Sequence, residues 1–312
     1  MIYTVTLNPT IDRTMLFPRL EVGALNRAER SHTDLSGKGV NVSVALKRFG
    51  LESTLWGFAA GTYGRLLISG LEAQGYRCAF DTVEGETRSN VTVIDQATGV
   101  TTKLNEPGPT VGENALAALE ERMAAALLDG DLVVMSGSLP PGAPQDTYAR
   151  LICVIQKRGA IAALDTSGPA LQAGCGARPD WIKPNDVEAQ DLTGLTLDGD
   201  EAAKQALDAI HRLGPKRILL SLGPRGALLS QDGHAWWATP PAIEEVSAIA
   251  AGDASFTGCL WASLQGMPGD QCARWAVAAG TATAMVDGSA VATRKQMEQV
   301  YRQVTVRILE GC

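Results

Sequence analysis

Short β-type runs and helical runs take turns along almost the whole chain, and that alternation restricts the fold more than any other feature. "IYTVTLN" reads as a first strand and "GVNVSVALKRFG" as a helix ended by Gly50. "STLWGFAA" is strand, "YGRLLISGLEAQG" helix, "ENALAALEERMAAALL" helix and "DLVVMSGS" a buried-type strand. "YARLICVIQKRG" is helix, "AIAALDTS" and "DWIKPN" are strands, and "EAAKQALDAIHRLG" is a helix followed by the strand "RILLSLG". The final third reads as mostly helical, through "FTGCLWASLQGM", "CARWAVAAGTATAMV" and "RKQMEQVYRQVTVRIL". This order predicts an α/β fold with a mostly parallel sheet covered by helices on both faces. Ligands in such folds sit beyond the carboxyl ends of the strands, here after "TVTL", "VVMS", "AALD", "WIKP" and "LLSL".

The rhythm breaks twice, at about residues 10–32 and 84–105, where the chain looks strand-like without long helices. "RSNVTVIDQATGVTTKLN" reads as a hairpin around "QATG". The two segments predict a small auxiliary sheet, a discontinuous β lid on a single domain spanning residues 1–312.

A formal charge of −7 disfavours nucleic acid or an anionic membrane as partner, so an anionic substrate needs local basic contacts. The six cysteines, at 78, 153, 175, 259, 272 and 312, form no C-x-x-C pair. Their scatter predicts reduced thiols in a cytoplasmic protein rather than a disulfide framework or a zinc site. The start, "MIYTVTLNPTIDRT", lacks the basic and apolar regions of a secretory signal, and no apolar run of about 18 residues predicts a transmembrane helix. The P-loop, the dinucleotide G-x-G-x-x-G and the G-x-S-x-G elbow are all missing. A phosphate site in this chain must therefore use another glycine-bearing helix start.

"AAGDASF" (250–256) supplies one. It follows the alternating run "PPAIEEVSAI" and opens an apolar helix. Small residues let backbone N–H groups approach a ligand, and the helix adds its positive dipole end. Asp253 at the same turn can take a proton from a hydroxyl, and the turn can stabilise developing negative charge. Phosphoryl transfer to an alcohol needs both. An ordinary Asp at a helix start, worth roughly 1 kcal/mol as a cap, is the other reading of the same residues.

Further motifs keep that turn company: "TVTLNPTIDRT", "SGKGVNVSVALKRFG", "TRSNV", "TKLNEPGP", "MSGSLPPG", "LDTSGPAL", "WIKPNDVE", "LLSLGPRGALL" and "AVAAGTATA". In this joint order and spacing the chain resembles the ribokinase-like, phosphofructokinase-B family of sugar kinases over nearly its whole length. Its nearest branch looks like 1-phosphofructokinase and tagatose-6-phosphate kinase. The resemblance implies a ribokinase-like three-layer αβα sandwich, ATP and Mg²⁺ as cofactors, and a homodimer clasped through the lid strands.

By the same resemblance, Asp253 is the general base, and the N–H groups around Ala250, Ala251 and Gly252 form an anion hole. Gly37 and Gly39 allow close backbone approach, Lys38 offers a point charge to a phosphate, and Asn41 bridges sugar hydroxyls. Asp12, Arg88, Asn90, Lys103, Ser138 and Arg27 complete the substrate side. Lys183, Asn185, Ser221, Gly223, Gly226 and Gly280 face the nucleotide, and Asn185 with Glu188 organises magnesium, largely through water. Each also has a plainer reading: Asp12 as a turn former, Lys103 as a solvated loop residue, Glu188 as helix N-terminal charge, "AVAAGTATA" as tight helix packing.

The family usually has glycine where Ala250 stands, threonine at Ala248, serine at Ala254 and a second glycine at Ser36. If position 250 takes a positive φ, alanine costs about 1 kcal/mol or more there and thins the anion hole. The expected activity is ATP-dependent phosphorylation of a ketohexose phosphate, fructose 1-phosphate to fructose 1,6-bisphosphate. The alternatives are a tagatose-6-phosphate or fructose-6-phosphate kinase, or a catalytically weak, regulatory sugar-phosphate-binding protein.

Overall fold

A computed structural model of the chain describes residues 1–288 and 290–309. Among these residues, ten strands form one main sheet. Seven of them run parallel at its centre and one end. In spatial order they are β5 (Arg77–Val83), β4 (Thr54–Ala60), β1 (Ile2–Thr6), β8 (Leu132–Ser136), β9 (Ile161–Asp165), β10 (Trp181–Ile182) and β11 (Arg217–Ser221). An antiparallel extension follows: β12 (Ala227–Gln231), β13 (His234–Thr239) and β14 (Thr305–Leu309). A separate four-stranded sheet has the order β3 (Arg30–Ser36), β2 (Thr10–Phe17), β6 (Arg88–Asp95), β7 (Thr101–Leu104).

The apolar pattern explains the layering. All five residues of β8 are buried, and their side chains divide by parity between two cores. Val133 and Met135 join the core beneath helices α3 (Glu113–Ala126), α4 (Thr147–Lys157), α5 (Gly168–Gly176), α6 (Asp186–Thr193) and α7 (Gly199–Leu213). Leu132 and Val134 join the core beneath α1 (Lys38–Arg48), α8 (Ala251–Leu264), α9 (Gly269–Ala284) and α10 (Arg294–Tyr301). A strand buried on both faces needs this unbroken apolar run. The result is a three-layer αβα sandwich. Helix α2 (Gly61–Ala73) places Leu67 and Leu71 against Ile11 of the small sheet.

Helix α8 is buried without a break from Asp253 to Ala262, as a helix apolar on every side must be. The sheet, α1 and α9 enclose it. Helix α1 starts where β3 ends and presses on the end of β1. A Cβ at Gly39 would overlap Thr6 Oγ1 and lie 2.8 Å from the Val5 carbonyl oxygen, so only glycine fits.

The structure corrects several expectations. "RKQMEQVYRQVTVRIL" is not one helix: α10 ends at Tyr301, a turn follows, and Thr305–Leu309 forms β14. "VTVRIL" satisfies a helical apolar spacing as well as a strand's alternation, and pairing with β13 decides the matter. Beyond β11 the described residues thus hold three strands, β12, β13 and β14, among the helices. The alternating run "PPAIEEVSAI" forms no strand. The auxiliary segments are also narrower and shifted: residues 18–29 are irregular and β3 runs to Ser36. Five cysteines are free thiols, and Cys312 lies outside the described residues.

Candidate active site

Two helix mouths and several strand ends converge at one point. Helix α8 begins behind Ala250, whose backbone is left-handed, φ 60° and ψ −4°. Position 250 therefore does take the conformation that glycine adopts without strain. The Ala250 methyl is packed into the second core, and the residue is only 8% exposed. Ala251 N donates to the Ala248 carbonyl oxygen at 3.3 Å, and the intrahelical ladder begins with Ala254 N donating to the Ala250 carbonyl oxygen at 2.8 Å, so the N–H groups of Gly252 and Asp253 have no intrahelical acceptor.

Asp253 sits in the first turn of α8 and is 5% exposed. Its Oδ2 accepts a hydrogen bond from Asn41 Nδ2 of α1 at 2.8 Å. Burial pushes its carboxyl pKa up to about 6; Lys38 opposes that shift and Asp165 adds to it. A carboxylate poised near neutrality, with one oxygen held and one free, suits proton abstraction.

Asp165, at the end of β9, is fully buried. Its Oδ1 accepts from Lys38 Nζ at 3.1 Å and pairs with Lys183 Nζ at 3.3 Å. Burial favours its neutral form, but Lys183 and Lys38 outweigh burial and hold the carboxyl below its usual range. Burial likewise works against the Lys38 charge, and Asp165 and Asp253 outweigh it, raising that ammonium above an ordinary lysine. Lys183 is 4% exposed. A Cβ at Gly252 would lie 3.7 Å from its Nζ, so this ammonium stands beside the α8 mouth.

The small sheet adds a polar cup. Asp12 and Asn90 are cross-strand partners, and Asn90 Nδ2 donates to Asp12 Oδ1 at 3.1 Å. Arg88 donates to the Asn8 carbonyl oxygen at 3.0 Å, while its Nε has no partner. Asn8 Oδ1 and Asn90 Oδ1 are also buried without partners. Buried polar groups are almost always hydrogen-bonded, so donors and acceptors left open in one place point to a polar ligand.

On the other side, Asn185 and Glu188 cap α6 reciprocally: Glu188 N donates to Asn185 Oδ1 and Asn185 N to Glu188 Oε2, each at 2.8 Å. Ser221 N donates to the Pro184 carbonyl oxygen at 3.0 Å and ties the end of β11 to that cap. Gly223 opens a short 3₁₀ turn that ends before Gly226. Gly280 lies where α9 crosses α8; a methyl there would meet the Ala251 carbonyl oxygen at 3.1 Å, which favours the packing reading of that motif.

The described residues hold no group of three or more His, Cys, Asp or Glu able to fix a metal alone. The capping box commits one Glu188 oxygen and leaves the other free, and its charge is felt at Lys38. One carboxylate beside a phosphate site fits magnesium, which keeps much of its water and binds chiefly to phosphates.

Arg27 is exposed in the connection between β2 and β3, Lys103 is exposed on β7, and Ser138 is exposed in the turn after β8. Sequence reasoning missed Asp165, Asn8 and the buried, unpartnered Ser136. The available signal was a polar residue at the carboxyl end of an apolar parallel strand, as in "IAALD".

These features define a class: a kinase acting on a small hydroxylated molecule, with acid and cations set at helix mouths beyond a parallel sheet. The chain belongs to the pfkB family of carbohydrate kinases, whose profile matches residues 5–295. It is 35% identical over 309 residues to 1-phosphofructokinase of Rhodobacter capsulatus, covering 99% of this chain and 98% of the relative. The crystal structure of phosphofructokinase-2 from Escherichia coli superposes with a TM-score of 0.91 at 29% identity, covering 97% and 98% of the two chains. Arabidopsis thaliana ribokinase shares the fold, with a TM-score of 0.78 at 21% identity over 96% and 98%.

Proposed function

We propose that the chain is an ATP-dependent kinase that converts fructose 1-phosphate to fructose 1,6-bisphosphate. The observation that carries this reading is the buried Asp253 carboxylate, held by Asn41 at the mouth of α8 and flanked by Lys38 and Lys183. Asp253 takes the proton of the sugar C6 hydroxyl as its oxygen bonds to the γ-phosphorus and the bond to ADP breaks. The N–H groups at Ala250, Ala251 and Gly252 meet the charge that develops on the phosphoryl oxygens. Asp12, Asn41 and Asn90 orient the sugar through its hydroxyls, with Gly37 and Gly39 giving backbone access.

Lys38 is committed to Asp165, which suits it to the transferred phosphoryl better than to the sugar's own phosphate. That leaves Arg88, with its open Nε, as the principal contact for the 1-phosphate, joined by Lys103, Ser138 and Arg27 on ordering. Lys183, Ser221, Gly223 and Gly226 take the nucleotide phosphates and ribose, and Gly280 borders the adenine. Asn185 and Glu188 would hold Mg²⁺, largely through water, where it would neutralise phosphate charge. The small sheet serves as a lid and as the contact between two copies. Val22 and Leu25 in the β2–β3 connection, Val100 in the β6–β7 turn and Leu104 on β7 are exposed apolar residues, and the outer edges of strands β3 and β7 are unpaired among the described residues. The free cysteines suit a cytoplasmic setting.

An ADP-release assay over a panel of ketohexose phosphates tests the proposal. Fructose 1-phosphate is expected to give the highest kcat/KM. A higher value for fructose 6-phosphate or tagatose 6-phosphate reassigns the substrate. Tight sugar-phosphate binding with no ADP produced favours a regulatory binding protein, the reading that the left-handed Ala250 keeps in play.

A further inference from the structure

We propose that Asp165 is a positioning residue: its buried carboxylate ties Lys38 and Lys183 together as a paired cationic cradle for the phosphoryl group in transit. The inference rests on the kinase reading and adds to it a residue that touches neither substrate in that reading.

Both lysines converge on the same oxygen, Lys38 Nζ at 3.1 Å and Lys183 Nζ at 3.3 Å. They come from opposite sides, Lys38 from the mouth of α1 and Lys183 from the end of β10. Each ammonium has three protons and gives Asp165 one, so both keep donors for a phosphate. With Asp253 ionised, the two ammonium groups and two carboxylates balance; once Asp253 takes the hydroxyl proton, one positive charge is in surplus, at the moment a phosphoryl group bearing negative charge must pass. Without Asp165 the two cations would repel each other, and the buried Lys183 would lack a counter-charge. Asp165 has capacity to spare, because its Oδ2 is buried with no partner. The neighbouring strand end repeats the sign: Ser136, opposite Asp165 in register, has a buried Oγ with no partner. Two such groups on adjacent strand ends mark a place that a bound polar group completes.

The test uses the full chain with fructose 1-phosphate and ATP. Asp165→Asn keeps the shape and removes the charge. It is expected to lower kcat on the order of 10²-fold, the scale of losing one preorganised charge-stabilising contact, with the sugar KM little changed. A packing role alone does not move the pH profile. Loss of Asp165 shifts the acid limb of kcat/KM to lower pH, because Asp253 loses a negative neighbour and the freed ammonium groups turn towards it. Lys38→Gln shifts the limb the opposite way. The double variant Asp165→Asn/Lys38→Gln should lose little more than the worse single variant, the pattern of residues that act as a unit.

If Asp165→Asn does not fold, Asp165→Asn/Lys183→Met leaves no unpaired buried ammonium and is measured instead, with the same loss expected. A variant that folds with kcat within twofold of wild type, an unmoved acid limb, or multiplicative losses overturns the inference. Failure of both variants to fold makes Asp165 a folding residue and overturns it too. Wild-type protein that phosphorylates no ketohexose phosphate defeats the kinase reading itself; active wild type with an indifferent Asp165→Asn defeats only this step.

Discussion

The two helix mouths at the site are built alike and tolerate different things. Helix α1 is capped by Gly37 at φ 136°, helix α8 by Ala250 at φ 60°, and neither has a side-chain cap. At Gly37 a Cβ would lie 2.8 Å from Thr6 Cγ2 and 3.2 Å from Pro9 Cα, so both space and backbone demand glycine. At Ala250 only the backbone objects, since its methyl is packed into the core. A helix mouth wedged against a strand end must keep its glycine; one that backs onto an apolar core can exchange it for alanine at the cost of torsional strain. The division of labour follows: the wedged mouth carries Lys38 and Asn41, the roomier one carries the acid.

The sharpest test of that division is Asp253→Asn. Turnover is expected to fall on the order of 10³-fold, the scale of a positioned general base, with the thermal melt retained. Survival of turnover would move the chemistry away from the α8 mouth. The pH profile gives the next effect in size. Asp253 must be ionised to accept a proton, so kcat/KM should drop roughly tenfold per unit below about pH 6 and level off above it. Gly37→Ala should cost about 1–3 kcal/mol in denaturant unfolding and raise the sugar KM, because the α1 mouth must shift. Ala250→Gly should be the mildest, stabilising by roughly 1 kcal/mol and leaving kcat unchanged or raised a few-fold. Equal penalties at positions 37 and 250 would erase the contrast.

How much of this could be read beforehand depended on distance along the chain. The β–α order pointed to the parallel body, whereas "AAGD" and "NDVE" alone read equally well as helix starts and singled out Asp253 and the Asn185–Glu188 pair only through the resemblance of the whole motif set. The left-handed Ala250 was flagged only through the glycine expected there, because alanine itself does not signal a positive φ. Asp165 stayed hidden because its meaning comes from Lys38, 127 positions away. The antiparallel extension was missed for a similar reason: β14 is a strand because β13 lies beside it, and "VTVRIL" alone fits either periodicity.

The hydrogen bond from Asn41 to Asp253 joins positions separated by 212 residues. Contacts of such range form late, since a long loop must close before they contribute. A nascent polypeptide still on the ribosome therefore carries α1 and all four strands of the small sheet before Asp253 is made. Under the proposed function, half-finished copies then lack the base, and the return of catalysis after refolding becomes a clock for the last event in assembly rather than the first.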